Sequence, residues 1–224
     1  MDKKALGKPE GKNWHRRAVG PGPWEAMGKY QAQYLINNGL KPQHFFLEVG
    51  CGALRGGVHL IRYLETGHYF AIDNESSLLE AAVNVEIPEN RLQEKRPTLF
   101  LTRDFDLSFV PIGVRFNMAW AHSVFTHLNP EQIKRCMSAV GEHLVEDGIF
   151  FATFNEAKIT DLSQPHGWRD ELLTTRYPRD KIGSVAEEAR LDIEFIGDWG
   201  TMENERIAGV PGKRQQMIAL RKRL

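Results

Sequence analysis

Phe45-Phe46-Leu47-Glu48-Val49-Gly50-Cys51-Gly52-Ala53-Leu54-Arg55-Gly56-Gly57 decides the fold. An apolar strand ends in a carboxylate, breaks into a glycine-rich turn, and gives way to Leu54, Val58, Ile61 and Leu64 at helical spacing. That order places bare backbone N–H groups and the positive end of a helix beside a cleft. A nucleotide-like ligand suits such a cleft.

The alternation continues on both sides. Upstream, Trp24, Met27, Gln31, Tyr34 and Leu35 mark an amphipathic helix that ends near Gly39-Leu40-Lys41-Pro42. Downstream, strands are expected over 68–72, 98–102, 115–121, 149–154, 192–196 and 215–220. Ser77-Leu78-Leu79-Glu80 reads as a capping box. Asn129 caps a further helix with Pro130 at its first position; Ile133, Met137, Val140 and Leu144 line one face, and Asp147-Gly148 is the expected stop. Another helix is expected over 179–189. The apolar run Ile149 to Phe154 suits a strand buried on both faces. Alternating units of this kind predict an α/β sandwich of three layers, Rossmann-like, around a mainly parallel sheet.

A chain of 224 residues fits one such domain, burying roughly 70–75% of its unfolded surface. Lys plus Arg equals Asp plus Glu at 29 each, so no broad basic face is expected and nucleic acid is not a predicted partner. No apolar run approaches ~18 residues, and no apolar segment follows the basic N-terminus, so neither a membrane span nor a signal peptide is predicted. Cys51 and Cys136 form neither a disulfide framework nor a zinc site; as reduced apolar fillers they suit the cytoplasm. No metal site is predicted. Residues 1–23, rich in Lys, Gly and Pro, read as a flexible arm or lid, with Trp14, His15, Arg16 and Arg17 as contacts; 24–224 form the main domain. The irregular stretch 155–178, with Asn155, Glu156, His166 and Trp168, is a candidate substrate wall.

In an open α/β sheet the ligand lies beyond the carboxyl ends of the strands. Those positions hold Glu48 with the Gly50/Gly52 turn, then Asp73, Asp104-Phe105 and His122-Ser123. Asp73 suits both hydroxyls of a ribose, at about 1.5–3 kcal/mol for each charge-assisted bond. A nicotinamide domain could use the same acid. Its fingerprint, however, requires a third glycine where this chain has Arg55, and Gly56 comes one place late. Glu48 would also repel a diphosphate and attract a ligand bearing an ammonium and a sulfonium. By charge, S-adenosylmethionine fits better than NAD. An NAD-dependent oxidoreductase and a non-catalytic binding protein stay as alternatives.

On these motifs the chain resembles the class I S-adenosylmethionine-dependent methyltransferases from about residue 24 to its end. Glu48-Val49-Gly50-Cys51-Gly52 matches their first motif, Asp73 the ribose-binding acid, and Asp104-Phe105 the pair that holds the adenine, with Asp106 a rival to Asp104. Ser123 to Leu128 resembles the segment after the fourth strand in small-molecule members. The resemblance implies a seven-stranded sheet whose last strand, Gln215 to Leu220, is antiparallel. It implies S-adenosylmethionine as cofactor, bound by Glu48, Gly50, Cys51, Gly52, Asp73, Asp104, Phe105, Ala121 and His122. His122 and His127 are the candidate catalytic bases, each with a packing or hydrogen-bonding role as the alternative. The implied reaction is in-line methyl transfer to a small-molecule, sugar or glycolipid hydroxyl, and the oligomeric state stays open. Two departures stand out: Asn117 where many members have an acid, and Arg55 as either a ligand contact or a surface residue.

Overall fold

A computed structural model describes residues 11, 13–19, 23–157, 175–199 and 215–223. Helix α1 (Trp14–Ala18) precedes α2 (Trp24–Asn37), β1 (Phe46–Val49), α3 (Gly57–Tyr63) and β2 (Tyr69–Asp73). Then come α4 (Ser76–Ala81), a π-turn (Ala82–Glu86), α5 (Ile87–Glu89), β3 (Thr98–Leu101) and β4 (Phe116–Ala121). The chain continues through α6 (Pro130–His143), β5 (Leu144–Glu156), β6 (Arg176–Tyr177), α7 (Arg179–Glu188), β7 (Leu191–Asp198) and β8 (Gln215–Lys222).

The strands form one sheet in the order β3-β2-β1-β4-β5-β8-β7, with β6 attached to β5. Strands β1 to β5 run parallel, and β8 lies antiparallel between β5 and β7. This is the expected seven-stranded sheet with its antiparallel last strand; the two-residue β6 is an addition. Strand order reverses between β1 and β4, so their carboxyl ends open the crevice where such sheets bind ligands.

Two apolar layers hold the sheet. On one face Ile133, Cys136, Met137 and Val140 of α6 join Ile182 and Val185 of α7 against Leu47, Ala119 and Phe150. On the other, Leu35 of α2 and Leu60 and Ile61 of α3 meet Phe46, Trp120 and Phe151. Full burial of each large side chain contributes about 1.5–3 kcal/mol.

Local corrections have local causes. Helix α6 has the expected capping box of Asn129 and Gln132, but it ends at His143 rather than at Asp147-Gly148. Leu144 already pairs with Phe116, Ile149 with Met118, and the residues between bulge out. A Cβ on Gly148 would sit 3.0 Å from the Phe116 carbonyl oxygen. Gly148 therefore serves a bulge, not a helix end. The Ser77/Glu80 box does not form: Glu75 caps α4, accepting from Ser77 N at 3.3 Å and from its hydroxyl at 2.7 Å. Helix α3 starts at Gly57 because Leu54 has φ 68°, which no α-helix accommodates. Asn117, the departure on β4, accepts a hydrogen bond from Phe45 N at 3.0 Å and ties β4 to the entry of β1.

Candidate active site

The turn after β1 is wired to β2. Gly50 N and Cys51 N both donate to the Ile72 carbonyl, at 2.8 and 3.2 Å. Gly52 N donates to Asp73 Oδ2 at 2.7 Å, while Asp73 Oδ1 accepts from Glu75 N at 2.9 Å. One carboxylate thus fixes two loops and keeps acceptor capacity beyond these bonds. Burial raises the Asp73 pKa, opposed by those backbone N–H groups. Gly50 and Gly52 have φ of 72° and 54°. A Cβ on Gly50 would lie 2.5 Å from Val124 Cγ2, so the β1 turn and the loop after β4 close on each other. The Cys51 thiol is buried, and that burial pushes its pKa well up.

Glu48 is buried beneath this turn, its Oε2 accepting from the Tyr69 hydroxyl on β2. Burial raises its pKa to about 7; the Tyr69 hydrogen bond opposes this, nearby Asp73 adds to it, and Arg55 opposes it again. Arg55 is half-buried, with its pKa lowered by burial and supported by Glu48. Glu48 thus acts on the turn from below, as a field, and protonates readily when no cation compensates it.

The end of β3 separates the two rival acids. Both oxygens of Asp106 are taken by Ser108, from its N at 2.8 Å and its hydroxyl at 2.9 Å, which also depress its pKa. Asp104 is exposed and uses one oxygen on Thr102 Oγ1 at 3.0 Å. Phe105 beside it holds φ 64° and packs half-buried against the core. Asp106 is a turn former, whereas the Asp104 carboxylate engages only Thr102 among the described residues.

At the end of β4, Ala121 is buried and His122 follows it. Gln31 Nε2 on α2 stands 3.0 Å from His122 Nδ1. Burial, then Arg55, push the His122 pKa down to about 3, so the ring is neutral and a weak base. His127 instead is exposed, on the short turn Phe125–His127. Between them Ser123 holds φ 60°, a conformation costly for a non-glycine residue. Its N donates to Thr153 Oγ1 at 2.8 Å, its hydroxyl accepts from Gln215 Nε2 at 2.7 Å, and Thr153 Oγ1 donates to Gln215 Oε1 at 2.6 Å. Strands β5 and β8 thus hold the strained loop.

The described part of the arm lies over the turn. Trp14, Ala18 and Val19 pack with Ala53, Leu78 and Ala81, and a Cβ on Gly52 would meet Val19 Cγ1 at 2.8 Å. His15 and Arg16 point at Glu86, fully buried in the π-turn: His15 Nε2 lies 2.7 Å from Oε1, Arg16 Nε 2.6 Å from Oε1, and Arg16 Nη2 3.0 Å from Oε2. Of the expected substrate wall, His166 and Trp168 lie outside the described residues. Asn155 Nδ2 donates to the Thr175 carbonyl at 3.3 Å, and Glu156 pairs with Arg179 Nε at 2.7 Å. Among the described residues no three His, Cys, Asp or Glu gather as a metal site, and no helix is long and apolar enough to cross a membrane.

Sequence reading missed Tyr69, Gln31 and Gln215. Each is a polar residue at a position patterned to be apolar, which is the signal that could have found it.

The strand order is the sheet topology of the class I methyltransferases. Residues 47–150 match the family model described as a methyltransferase domain. Over those residues, just under half of its length, the chain is similar to that family. Among curated proteins none matches the chain in sequence. Solved structures share its fold. An S-adenosylmethionine-dependent methyltransferase from Clostridium acetobutylicum superposes with a TM-score of 0.64 at 15% identity, covering 92% of this chain and 94% of that one. The magnesium protoporphyrin IX methyltransferase of Synechocystis, with S-adenosylhomocysteine bound, gives 0.63 at 16%, covering 92% of each. The CcbJ methyltransferase of Streptomyces caelestis gives 0.64 at 15%, again covering 92% of each.

Proposed function

We propose that this chain methylates an oxygen of a small molecule with S-adenosylmethionine as donor. The observation that carries the reading is Asp73, held by Gly52 N and Glu75 N with lone pairs to spare, above the buried carboxyl of Glu48. Asp73 would hold the ribose hydroxyls, Asp104 and Phe105 the adenine, and the Gly50–Gly52 backbone the amino-acid tail. Glu48 favours the tail's ammonium, and Ala121 and His122 border the reacting end.

The donor, when bound, supplies a cationic sulfonium whose charge is neutralised as its methyl leaves. The chain's own task is then to orient an oxygen lone pair in line with the departing sulfur and to keep water out. Orientation of that kind supplies about 7–11 kcal/mol of the barrier. Proton removal from a hydroxyl acceptor falls to His127 or to solvent, because His122 is too weak a base. The arm over Gly52 is read as a lid, clamped by Glu86. The buried free cysteines suit a reducing compartment, the cytoplasm.

Calorimetric titration with S-adenosylhomocysteine beside NADH tests the cofactor. Binding of NADH in preference would overturn the reading. Transfer of labelled methyl from S-adenosylmethionine to an extract, followed by alkaline hydrolysis of the product, tests activity and separates esters from ethers and amines. Product whose label sits on nitrogen or carbon would refute the oxygen assignment.

A further inference from the structure

Strand β3 is an open edge of the sheet. It pairs with β2 on one side, and among the described residues no strand pairs with the other. In a parallel ladder, alternate residues turn their backbone groups to the neighbour. Thr102 N donates to the Asp73 carbonyl. Phe100 therefore faces β2 as well, while the N–H and C=O groups of Leu99 and Leu101 point to the free side. The run Thr98-Leu99-Phe100-Leu101-Thr102 has neither charge nor proline, the devices that usually blunt an edge.

This edge is apolar on both faces of the sheet. Phe100, half-buried, stacks on Phe109 of the following loop, with ring centroids 4.4 Å apart and planes 13° apart. Leu99 packs half-buried against the opposite layer. Leu101 is 49% exposed, and Ile112, in the same loop as Phe109, is fully exposed; Val83 is the only other large apolar side chain exposed among the described residues. Arg96 precedes the strand and Asp104 follows it, both exposed and neither in an ion pair among the described residues.

We propose that β3 is a dimer seam: two copies of this chain pair their β3 strands antiparallel about a two-fold axis at Phe100, so that one sheet continues into the other. A two-fold contact must be self-complementary, and this register is. Leu99 of each copy stands opposite Leu101 of the other, where the outward N–H and C=O groups exchange hydrogen bonds. Phe100 meets Phe100 of the second copy and continues the Phe109 stack on one face, while the leucines pair on the other. Arg96 comes level with Asp104 of the second copy, which joins opposite charges. The next registers that keep the hydrogen bonding are poorer. Slipping one way sets Lys95 against Arg103 and Pro97, which has no N–H, against Leu101; slipping the other way sets Arg103 against Leu99. The seam is short, well below the area of a permanent dimer, so the association is weak and depends on concentration. It reaches Asp104, at the rim of the proposed cofactor groove, yet the pairing holds whatever that groove binds.

The test is sedimentation velocity on the full chain, from low micromolar to several hundred micromolar concentration, which should show a monomer–dimer equilibrium. Leu101→Lys places a charge on the open edge and should keep the protein monomeric throughout, with an unchanged melting temperature. Arg96→Asp and Asp104→Arg should each weaken dimerisation by about fivefold or more, as symmetric surface pairs turn repulsive. Combining the two should restore it, because the exchanged charges meet again across the axis. A chain that stays monomeric at the highest concentration overturns the seam and leaves the edge to a different partner. A dimer that survives Leu101→Lys uses another surface, which overturns it too. Should Leu101→Lys melt early, the charge exchange decides alone: single variants that dimerise normally, or a double variant that does not recover, overturn the pairing.

Discussion

Glu48→Gln should make the protein more stable and worse at binding its cofactor. Glu48 is buried, and burial lifts its pKa from 4.5 to about 7. A carboxyl that holds its proton more tightly when folded contributes stability that is complete below the unfolded value and is lost as pH rises through the folded one. Above pH 7 the folded chain therefore bears the unfavourable charge, at about 1.36 kcal/mol per tenfold difference in proton affinity, or on the order of 3 kcal/mol in all. Gln keeps an oxygen for the Tyr69 hydroxyl and removes the charge. Part of the gain is given back, since Arg55 loses its counter-charge. At about 2–4 °C per kcal/mol for a chain of this size, the melting temperature at pH 8 should rise by several degrees. At pH 4, where Glu48 is protonated in both states, the difference should vanish. Calorimetry should show weaker S-adenosylhomocysteine binding at pH 8, because the ammonium loses its carboxylate. A variant that melts at or below the natural protein at pH 8, or a gap that ignores pH, would refute the account of Glu48 as a strained charge kept for a cation.

Asp73→Ala removes the carboxylate shared by Gly52 N and Glu75 N, and a single lost ribose bond of about 1.5–3 kcal/mol already means more than tenfold weaker S-adenosylhomocysteine binding by calorimetry. Cofactor binding by the natural protein should strengthen as pH rises through 7 and, below that, release a proton, detectable as a heat that varies with buffer ionisation enthalpy. Gly50→Ala places a Cβ at φ 72° and 2.5 Å from Val124 Cγ2; it should destabilise the fold by about 1–2 kcal/mol in urea titrations and weaken the cofactor too. Glu86→Ala leaves His15 without its acceptor and Arg16 with only the more distant Glu89; since Arg16 also reaches solvent, the loss should fall near the lower end of about 3–5 kcal/mol, and trypsin should cut faster at Arg16 and Arg17.

Periodicity and turn chemistry are local, and what they govern was legible in the chain. The apolar runs of β1, β4 and β5, the Asn129 cap and the Gly50/Gly52 turn follow from neighbours a few residues apart, and they bring Glu48, Asp73, Asp104 and His122 to one edge of the sheet. Asn117, read as a departure, proved to be a tie between β1 and β4 that only strand pairing makes visible. Asp104 and Asp106 are equivalent as letters; Ser108 and Thr102, placed by the loop, tell them apart. His122 is an ordinary histidine in sequence; its neutral state comes from burial and Arg55, and its hydrogen-bond partner Gln31 lies on another element. Local pattern decided which residues stand at the strand ends, because a strand or helix is specified by spacing along the chain. Which of those residues are charged, which donate and which merely hold a loop was decided by contacts across the sheet, because desolvation and hydrogen bonding depend on neighbours far away in sequence.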